Sequence, residues 1–100
     1  MDTFDKNAIV WDEYHNLAIN AVEQERVRQE QKWGEQNHNP DLYLAVLMEE
    51  VGEFAQASLQ TRFGGSHGGQ ENMRIEAVHV AAVALAIVEC LYRDKWSWNE

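Results

Sequence analysis

Three glutamates on one predicted helix are the residues of this sequence best suited to chemistry. Glu49, Glu50 and Glu53 form an EExxE pattern inside an otherwise apolar run from Leu42 to Leu59. Residues three and four apart share a helix face, with Cβ atoms roughly 5 to 6 Å apart. Two ionised carboxylates at about 5 Å repel by about 3 kcal/mol at an effective dielectric constant of about 20. The pattern therefore predicts a cation between these side chains.

A further acid and a histidine interrupt the next apolar run. Glu76 and His79 are three residues apart, about one turn of a helix, and antiparallel packing of the two helices would bring them to the EExxE cluster. No lysine or arginine precedes Arg62 on the first of these helices. Oxygen ligands with few nitrogens and no thiolate suit Mg²⁺ or Mn²⁺, which also bind substrate phosphates. We therefore expect a divalent metal site and a phosphorylated substrate.

The composition is that of a small globular domain. The chain has 100 residues, of which 45% are hydrophobic and 25% charged, with a formal net charge of −9. We expect a single domain over residues 1–100 whose small core is helped by oligomerisation. The negative charge argues against a nucleic-acid polymer as partner, because such binding requires basic residues opposite the phosphates.

Other sequence features predict a soluble, cytoplasmic protein. Cys90 is the only cysteine, so no internal disulfide or CxxC zinc pattern is expected. Residues 1–7 lack the basic and apolar regions of a signal peptide. No apolar run is expected to reach the roughly 20 residues of a membrane span.

Hydrophobic spacing predicts three long helices. Gly34 ends the first helix, Asn39 and Pro40 start the second as N-cap and first residue, and the four glycines within Gly64–Gly69 separate it from the third. We interpret that glycine loop as a hinge and assign no role to His67. The fold class is all-α: an antiparallel bundle of three long helices plus short terminal elements, completed by oligomerisation. The predicted helices cover residues 11–33, 40 to about 60, and about 71 to 92.

The apolar residues of these helices are expected to form the core and the subunit contacts. The run from Ala77 to Val88 is predicted to be buried nearly all round. Trp11, Trp96 and Trp98 are expected at a subunit interface. On the second helix, the side opposite the glutamates is predicted to bury Leu44, Leu47, Met48, Val51, Phe54 and Ala55.

Together these motifs resemble the MazG-like nucleoside triphosphate pyrophosphohydrolases. The resemblance covers about residues 14–93, leaving 1–13 and 94–100 peripheral, and includes the EExxE, the later acid Glu76, the KWGEQNH stretch from Lys32 to His38 and the three-helix layout. It implies an all-α dimer or tetramer that uses Mg²⁺ to split nucleoside triphosphates into monophosphate and pyrophosphate.

The resemblance also implies roles for individual residues. It assigns metal binding to Glu49, Glu50, Glu53 and Glu76, with Glu50 or Glu49 activating the attacking water. The family usually has aspartate where this chain has His79, which could bind the metal, support a ligand or weaken one metal position. Arg28, Lys32 and His38 are candidates to hold phosphate oxygens, and Trp33 to stack on the base.

Two other functions remain open at the sequence level. Glu76 and His79 form an ExxH pair of the kind that di-iron carboxylate bundles use, although three glutamates on one helix do not match that architecture. A catalytically degenerate helical binding protein, with His79 marking lost activity, is the other alternative.

Overall fold

The chain folds into three long helices, as the sequence predicts. The computed structural model describes residue 5 and residues 8–99. The helices are α1 (Glu13–Trp33), α2 (Pro40–Phe63) and α3 (Gln70–Arg93), and the described residues form no strand. The all-α fold class is therefore confirmed. The expectation for residues 1–7 falls, apart from Asp5, outside the described residues.

Short polar side chains and glycines set the helix ends. Asn39 Oδ1 accepts a hydrogen bond from Leu42 N at 2.9 Å and Pro40 occupies the first turn, so the predicted start of α2 is confirmed. Asp12 caps α1 in the same way, two residues later than the predicted start. Gly34 ends α1 as expected, whereas α2 continues three residues beyond Gln60 and stops only at Gly64.

The third helix is the centre of the structure. α3 packs against both α1 and α2, while α1 and α2, which are fully described, have no Cα atoms within 8 Å of each other. The C-terminal end of α3 lies beside the residues that precede α2, because Arg93 Nη2 donates to Gln36 O at 2.9 Å. Helices α2 and α3 therefore form an antiparallel hairpin, with α1 on another side of α3.

A buried arginine joins α1 to α3. Arg26 is only 8% exposed, and its guanidinium donates to Glu89 on α3 and to Glu30 at 2.6 Å. Burial opposes the positive charge, but the hydrogen bonds that Arg26 donates to Glu89 and Glu30 outweigh it and raise the pKa of Arg26. The arginine therefore stays charged and links the two helices through a compensated ion pair.

The prediction of extensive burial is wrong for the single chain. Among the described residues, only Tyr43, Ala57, Ala82, Val83 and Cys90 are buried apolar residues. Most of the predicted α2 core is open to solvent: Leu44 and Met48 are 55% and 54% exposed. In the run from Ala77 to Val88, residues on one side are exposed, so that run is not buried all round.

Two exposed apolar stripes account for the difference. On α2 and α3 the exposed apolar positions recur every three or four residues, which places each set on one face of its helix. The radius of gyration is 16.0 Å, against about 13 Å expected for a 100-residue domain. The α2 stripe is Leu44, Met48, Gly52, Ala55, Leu59 and Phe63; the α3 stripe is Ala77, Ala81, Leu85, Val88 and Tyr92.

The apolar character of α3 exceeds what the sequence analysis expected. By length and composition alone this helix is long and apolar enough to cross a membrane, with a mean hydropathy of 1.9 over its most apolar stretch, and it is the one such helix among the described residues. The expectation that no run reaches that length is therefore wrong. A helix that packs against other helices in a soluble protein can be equally long and apolar, so this composition does not by itself indicate a membrane span.

The glycine loop between α2 and α3 is fixed by side-chain hydrogen bonds. His67 N donates to Gln60 Oε1 and Gly69 N donates to Thr61 Oγ1, both at 2.7 Å. A Cβ on Gly68 would lie 2.7 Å from the backbone of Gln60, so only glycine lets the loop fold this closely onto α2. The loop is a bonded turn that places His67, not the open connector expected of a hinge.

We predict that Glu89→Gln lowers the free energy of unfolding by about 1 to 3 kcal/mol in urea denaturation, because it removes the carboxylate that neutralises the buried Arg26 guanidinium. Glu71→Gln is the matched control, since Glu71 lies on the same helix in an exposed 3.7 Å pair with Arg74. That change should cost less than about 0.5 kcal/mol. Equal losses in the two variants would contradict the role of the Arg26 link.

Candidate metal centre

The hairpin brings four of the predicted metal ligands together. Glu50 and Glu53 come from α2, and Glu76 and His79 from α3; one ligand atom of each lies within 4.8 Å of the others. On each helix the two residues are three positions apart and so occupy one face. The antiparallel packing then turns the two faces toward each other. These four residues are named the acidic cluster below.

Two carboxylate oxygens of the acidic cluster are buried without a hydrogen bond. Glu50 Oε2 and Glu76 Oε2 are inaccessible to solvent and have no hydrogen-bond partner among the described residues. Both face the same histidine nitrogen: His79 Nδ1 lies 3.4 Å from Glu76 Oε2 and 3.7 Å from Glu50 Oε2. Buried charged oxygens without partners are costly, so the cluster needs a positive charge at this point.

The electrostatic environment of Glu50 also favours a nearby positive charge. Burial raises the pKa of the Glu50 carboxyl, and the nearby negative charge of Glu53 raises it further, while the charge of His79 acts in the opposite direction. A divalent cation bound by the carboxylates would favour the ionised form of Glu50. Burial and like charge together therefore make this carboxylate the one that gains most from a cation.

The donor set and its dimensions suit a hard divalent cation. Mg²⁺ binds oxygen at about 2.0 to 2.1 Å, so two opposite ligands are about 4.2 Å apart. The largest separation in the cluster, 4.8 Å, exceeds this by a few tenths of an ångström. Small side-chain rotations would close that gap. Three carboxylates with one imidazole fit Mg²⁺, and fit Mn²⁺ at least as well because of the nitrogen.

A fourth glutamate, from α1, reaches the other side of His79. Glu25 Oε1 lies 4.0 Å from His79 Nε2 and only 10% of the Glu25 side chain is exposed. Arg28 binds both Glu25 oxygens, at 2.8 and 2.6 Å, and these hydrogen bonds lower the pKa of Glu25. His79 is thus surrounded by acids from all three helices, and when protonated it is itself a candidate for the positive charge.

Glu49 is not part of the acidic cluster. It is exposed, whereas its neighbour Glu50 points toward α3. Adjacent helical residues are about 100° apart around the axis, so packing on α3 selects one of the two. The geometry gives no support to Glu49 as a ligand or as the residue that activates water.

A cavity of about 240 Å³ opens beside the acidic cluster. Glu50, Glu53 and His79 line one part of it, and Trp33 and Tyr43 line another. We call it the main cavity. Its three arginines already have carboxylate partners on the protein: Arg26 with Glu89 and Glu30, Arg28 with Glu25, and Arg93 with Glu35.

The predicted substrate residues divide into two groups. Arg28 and Trp33 line the main cavity, whereas Lys32 and His38 do not. Lys32 Nζ lies 4.6 Å from the Trp33 ring centre in a cation–π contact. The His38 ring packs edge-on against Tyr43, with ring centres 5.2 Å apart. Both residues therefore support the aromatic side chains of the cavity instead of facing into it.

Sequence reasoning missed several residues of the site. Tyr43 belongs to the same helical face as Glu50 and Glu53, through the series 43, 46, 50 and 53, so helical spacing alone could have identified it. Its buried hydroxyl donates to Gln36 O at 2.8 Å, which holds the residues before α2 against the cavity. Glu25 gave no comparable signal, because its approach depends on how α1 packs. The other polar residues missed are Gln29, Gln36 and Arg93.

Comparisons of the chain with protein-family models, with curated proteins and with solved structures found no match. The function is therefore inferred from the acidic cluster, the main cavity and the sequence motifs.

We predict that Mn²⁺ or Mg²⁺ raises the melting temperature of the protein through the acidic cluster. A ligand at 100 times its dissociation constant stabilises the folded state by about 2.7 kcal/mol. Glu50→Gln should remove most of this effect and also raise the melting temperature of the metal-free protein, because it removes like-charge repulsion beside Glu53. Glu49→Gln is the matched control and should respond to metal like the unmodified chain.

Thermal unfolding at increasing metal concentration measures both effects. An equal response to metal in Glu50→Gln and in the unmodified chain would contradict the assignment of the cluster.

Proposed function

We propose that this protein is a metal-dependent hydrolase that splits nucleoside triphosphates into monophosphate and pyrophosphate, as a MazG-like enzyme would. The observation that carries the proposal is the acidic cluster, in which two buried carboxylate oxygens without hydrogen bonds adjoin a cavity with aromatic walls. The sequence resemblance to the MazG-like enzymes adds the reaction class.

The residues of the acidic cluster would have distinct roles in the reaction. Glu50, Glu53, Glu76 and His79 would hold the cation, which would be Mg²⁺ or Mn²⁺. When bound, such an ion neutralises phosphate oxygens and lowers the pKa of water. Glu50 would also act as the general base: one carboxylate oxygen would bind the cation and the other would accept the proton, since Glu50 belongs to the acidic cluster and lines the main cavity. It would take the proton of a water that attacks phosphorus while the pyrophosphate group leaves.

The main cavity suits the nucleoside part of the substrate. Trp33 is 52% exposed and offers an aromatic face, and stacking on a base contributes about 1 to 3 kcal/mol. Because the arginines of the cavity are paired with glutamates, they add little net positive charge for phosphates. The phosphate groups would therefore be held mainly at the acidic cluster and the nucleoside at the aromatic wall.

A di-iron carboxylate protein is the second candidate, because Glu76 and His79 lie together in the cluster as an ExxH pair. Such centres use four glutamates and two ExxH histidines. The described residues of one chain supply three carboxylates and one histidine to the cluster. A second copy would have to supply the rest, which makes this candidate the weaker one.

We predict turnover of at least one canonical or deoxynucleoside triphosphate with Mg²⁺ or Mn²⁺, with monophosphate and pyrophosphate as products on chromatography. Glu50→Gln should lower kcat by about 10²- to 10⁴-fold, as expected for loss of a general base, whereas Glu49→Gln should stay near the unmodified rate.

Three outcomes would contradict this assignment. Oxygen-dependent chemistry with iron would favour the di-iron centre. No turnover together with no metal response would favour a binding protein in which protonated His79 supplies the positive charge. Equal loss of rate in Glu49→Gln and Glu50→Gln would contradict the role of Glu50.

We also propose that the two exposed apolar stripes join copies of this chain into a homodimer or tetramer. Gly52 lies in the middle of the α2 stripe, where a Cβ would meet nothing within 4 Å in the chain itself. A glycine at such a position costs the helix about 1 kcal/mol relative to alanine. A close-packed neighbouring helix would explain its presence. The small core and the apolar surface of α3 have the same explanation.

We predict that the protein elutes as a dimer or tetramer in size-exclusion chromatography with light scattering, and that Leu59→Glu shifts it toward the monomer by placing a charge in the α2 stripe. Ser58→Glu is the matched control, since Ser58 is the exposed neighbour outside the stripe. A monomeric unmodified chain, or equal effects of the two variants, would contradict the proposed interface. An assembly of this kind would be soluble, and we propose the cytoplasm as its location.

A further inference from the structure

A second pocket lies next to the acidic cluster at the glycine loop. Its volume is about 330 Å³, and its lining includes Glu53, Gln56, His67, Asn72 and Glu76. We call it the loop pocket. Glu53 lines both this pocket and the main cavity, so the two meet at the acidic cluster. A ligand at the cluster could therefore extend in both directions.

The loop holds His67 in a defined place. Its backbone N–H is bound by Gln60, and the next turn is fixed because Asn72 Nδ2 donates to Gly68 O at 3.1 Å. Ser66 Oγ lies 3.3 Å from His67 Nδ1. When the serine hydroxyl donates to Nδ1, the proton of the imidazole is on Nε2, which can then donate to a ligand.

The residues that line the loop pocket favour an anion that binds together with a cation. Gln56, His67 and Asn72 carry N–H groups able to donate to phosphate oxygens. Glu53 and Glu76 would repel a free anion. A phosphate group can therefore enter only when a divalent cation at the cluster compensates these two charges.

We propose that the loop pocket binds the end of the polyphosphate chain, the part released as pyrophosphate, and that His67 is a positioning residue that donates a hydrogen bond to it. This inference rests on the proposed function. It sets the direction of the substrate: the nucleoside lies against Trp33, the scissile bond at the acidic cluster, and the terminal phosphates near His67.

The test measures the binding of inorganic pyrophosphate by calorimetry at saturating Mg²⁺. His67→Ala should weaken pyrophosphate binding by about tenfold or more, the effect of losing a hydrogen bond to a charged group. His67→Gln should retain most of the affinity, because its amide nitrogen can replace Nε2. Binding of Mg²⁺ itself and of nucleoside monophosphates should stay unchanged in both variants, and pyrophosphate should not bind when Mg²⁺ is removed.

The control variant is His15→Ala, since His15 lines neither the main cavity nor the loop pocket. Unchanged pyrophosphate affinity in His67→Ala, or a loss equal to that of His15→Ala, would overturn the inference. So would an unmodified protein that binds Mg²⁺ but no pyrophosphate. Thermal unfolding of each variant shows whether a change in affinity comes from misfolding.

The two proposals fail separately. If no nucleotide is hydrolysed but pyrophosphate binding still depends on Mg²⁺ and His67, the proposed function fails and the assignment of the loop pocket stands. If nucleotides are hydrolysed and His67→Ala binds pyrophosphate normally, the loop pocket assignment fails alone.

Discussion

The repulsion between carboxylates packed at the helix interface is the constraint on which the site depends. Three acids of the cluster come from two helices, and Glu25 approaches His79 from the third. In a chain with a net charge of −9, the few arginines are used elsewhere: Arg26 joins α1 to α3, Arg28 neutralises Glu25, and Arg93 pairs with Glu35. The cluster keeps only His79, whose single charge cannot balance three carboxylates.

This distribution of charge separates two kinds of acid in the structure. Glu25 is bound by Arg28 within α1, and Glu89 is bound by Arg26 across the contact between α1 and α3. Glu50 and Glu76 have no such partner, and each has an oxygen that is buried without a hydrogen bond. Groups that serve only stability are rarely left in this state. The unpaired acids are therefore the ones to which we assign function.

The central helix α3 has two faces of different character. One face supplies Glu76 and His79 to the hairpin interior, and another presents the apolar stripe that includes Leu85 and Val88. Burying that stripe against a second copy would add the core that a 100-residue chain lacks on its own. Catalysis and assembly would then depend on the same helix, so a change on one face is expected to be felt at the other.

Short sequence motifs predicted the helix ends and the helix faces, because residues close together in the sequence determine both. Asn39 with Pro40 marked the start of α2, Gly34 the end of α1, and the three-residue spacings the faces that carry Glu50 with Glu53 and Glu76 with His79. The choice between Glu49 and Glu50 depends on how α2 is rotated against α3, which spacing does not determine.

The burial of apolar residues and the approach of Glu25 to the site could not be predicted from the sequence, because both depend on how the helices pack. The apolar faces of α2 and α3 were predicted to be buried, although a stripe on each remains exposed in one chain. Glu25 was missed because only the packing of α1 brings it to His79. The loop was interpreted as a hinge because glycine content does not show that Gln60 and Thr61 bind its backbone.

The most direct test of the central claim is a crystal structure with Mn²⁺, using its anomalous scattering to locate the ion. We expect a peak between Glu50, Glu53, Glu76 and His79, with carboxylate oxygens of Glu50 and Glu76 about 2.1 to 2.2 Å from it. A cluster without a peak, in which His79 donates hydrogen bonds to Glu50 and Glu76 instead, would contradict the claim that this site binds a metal ion.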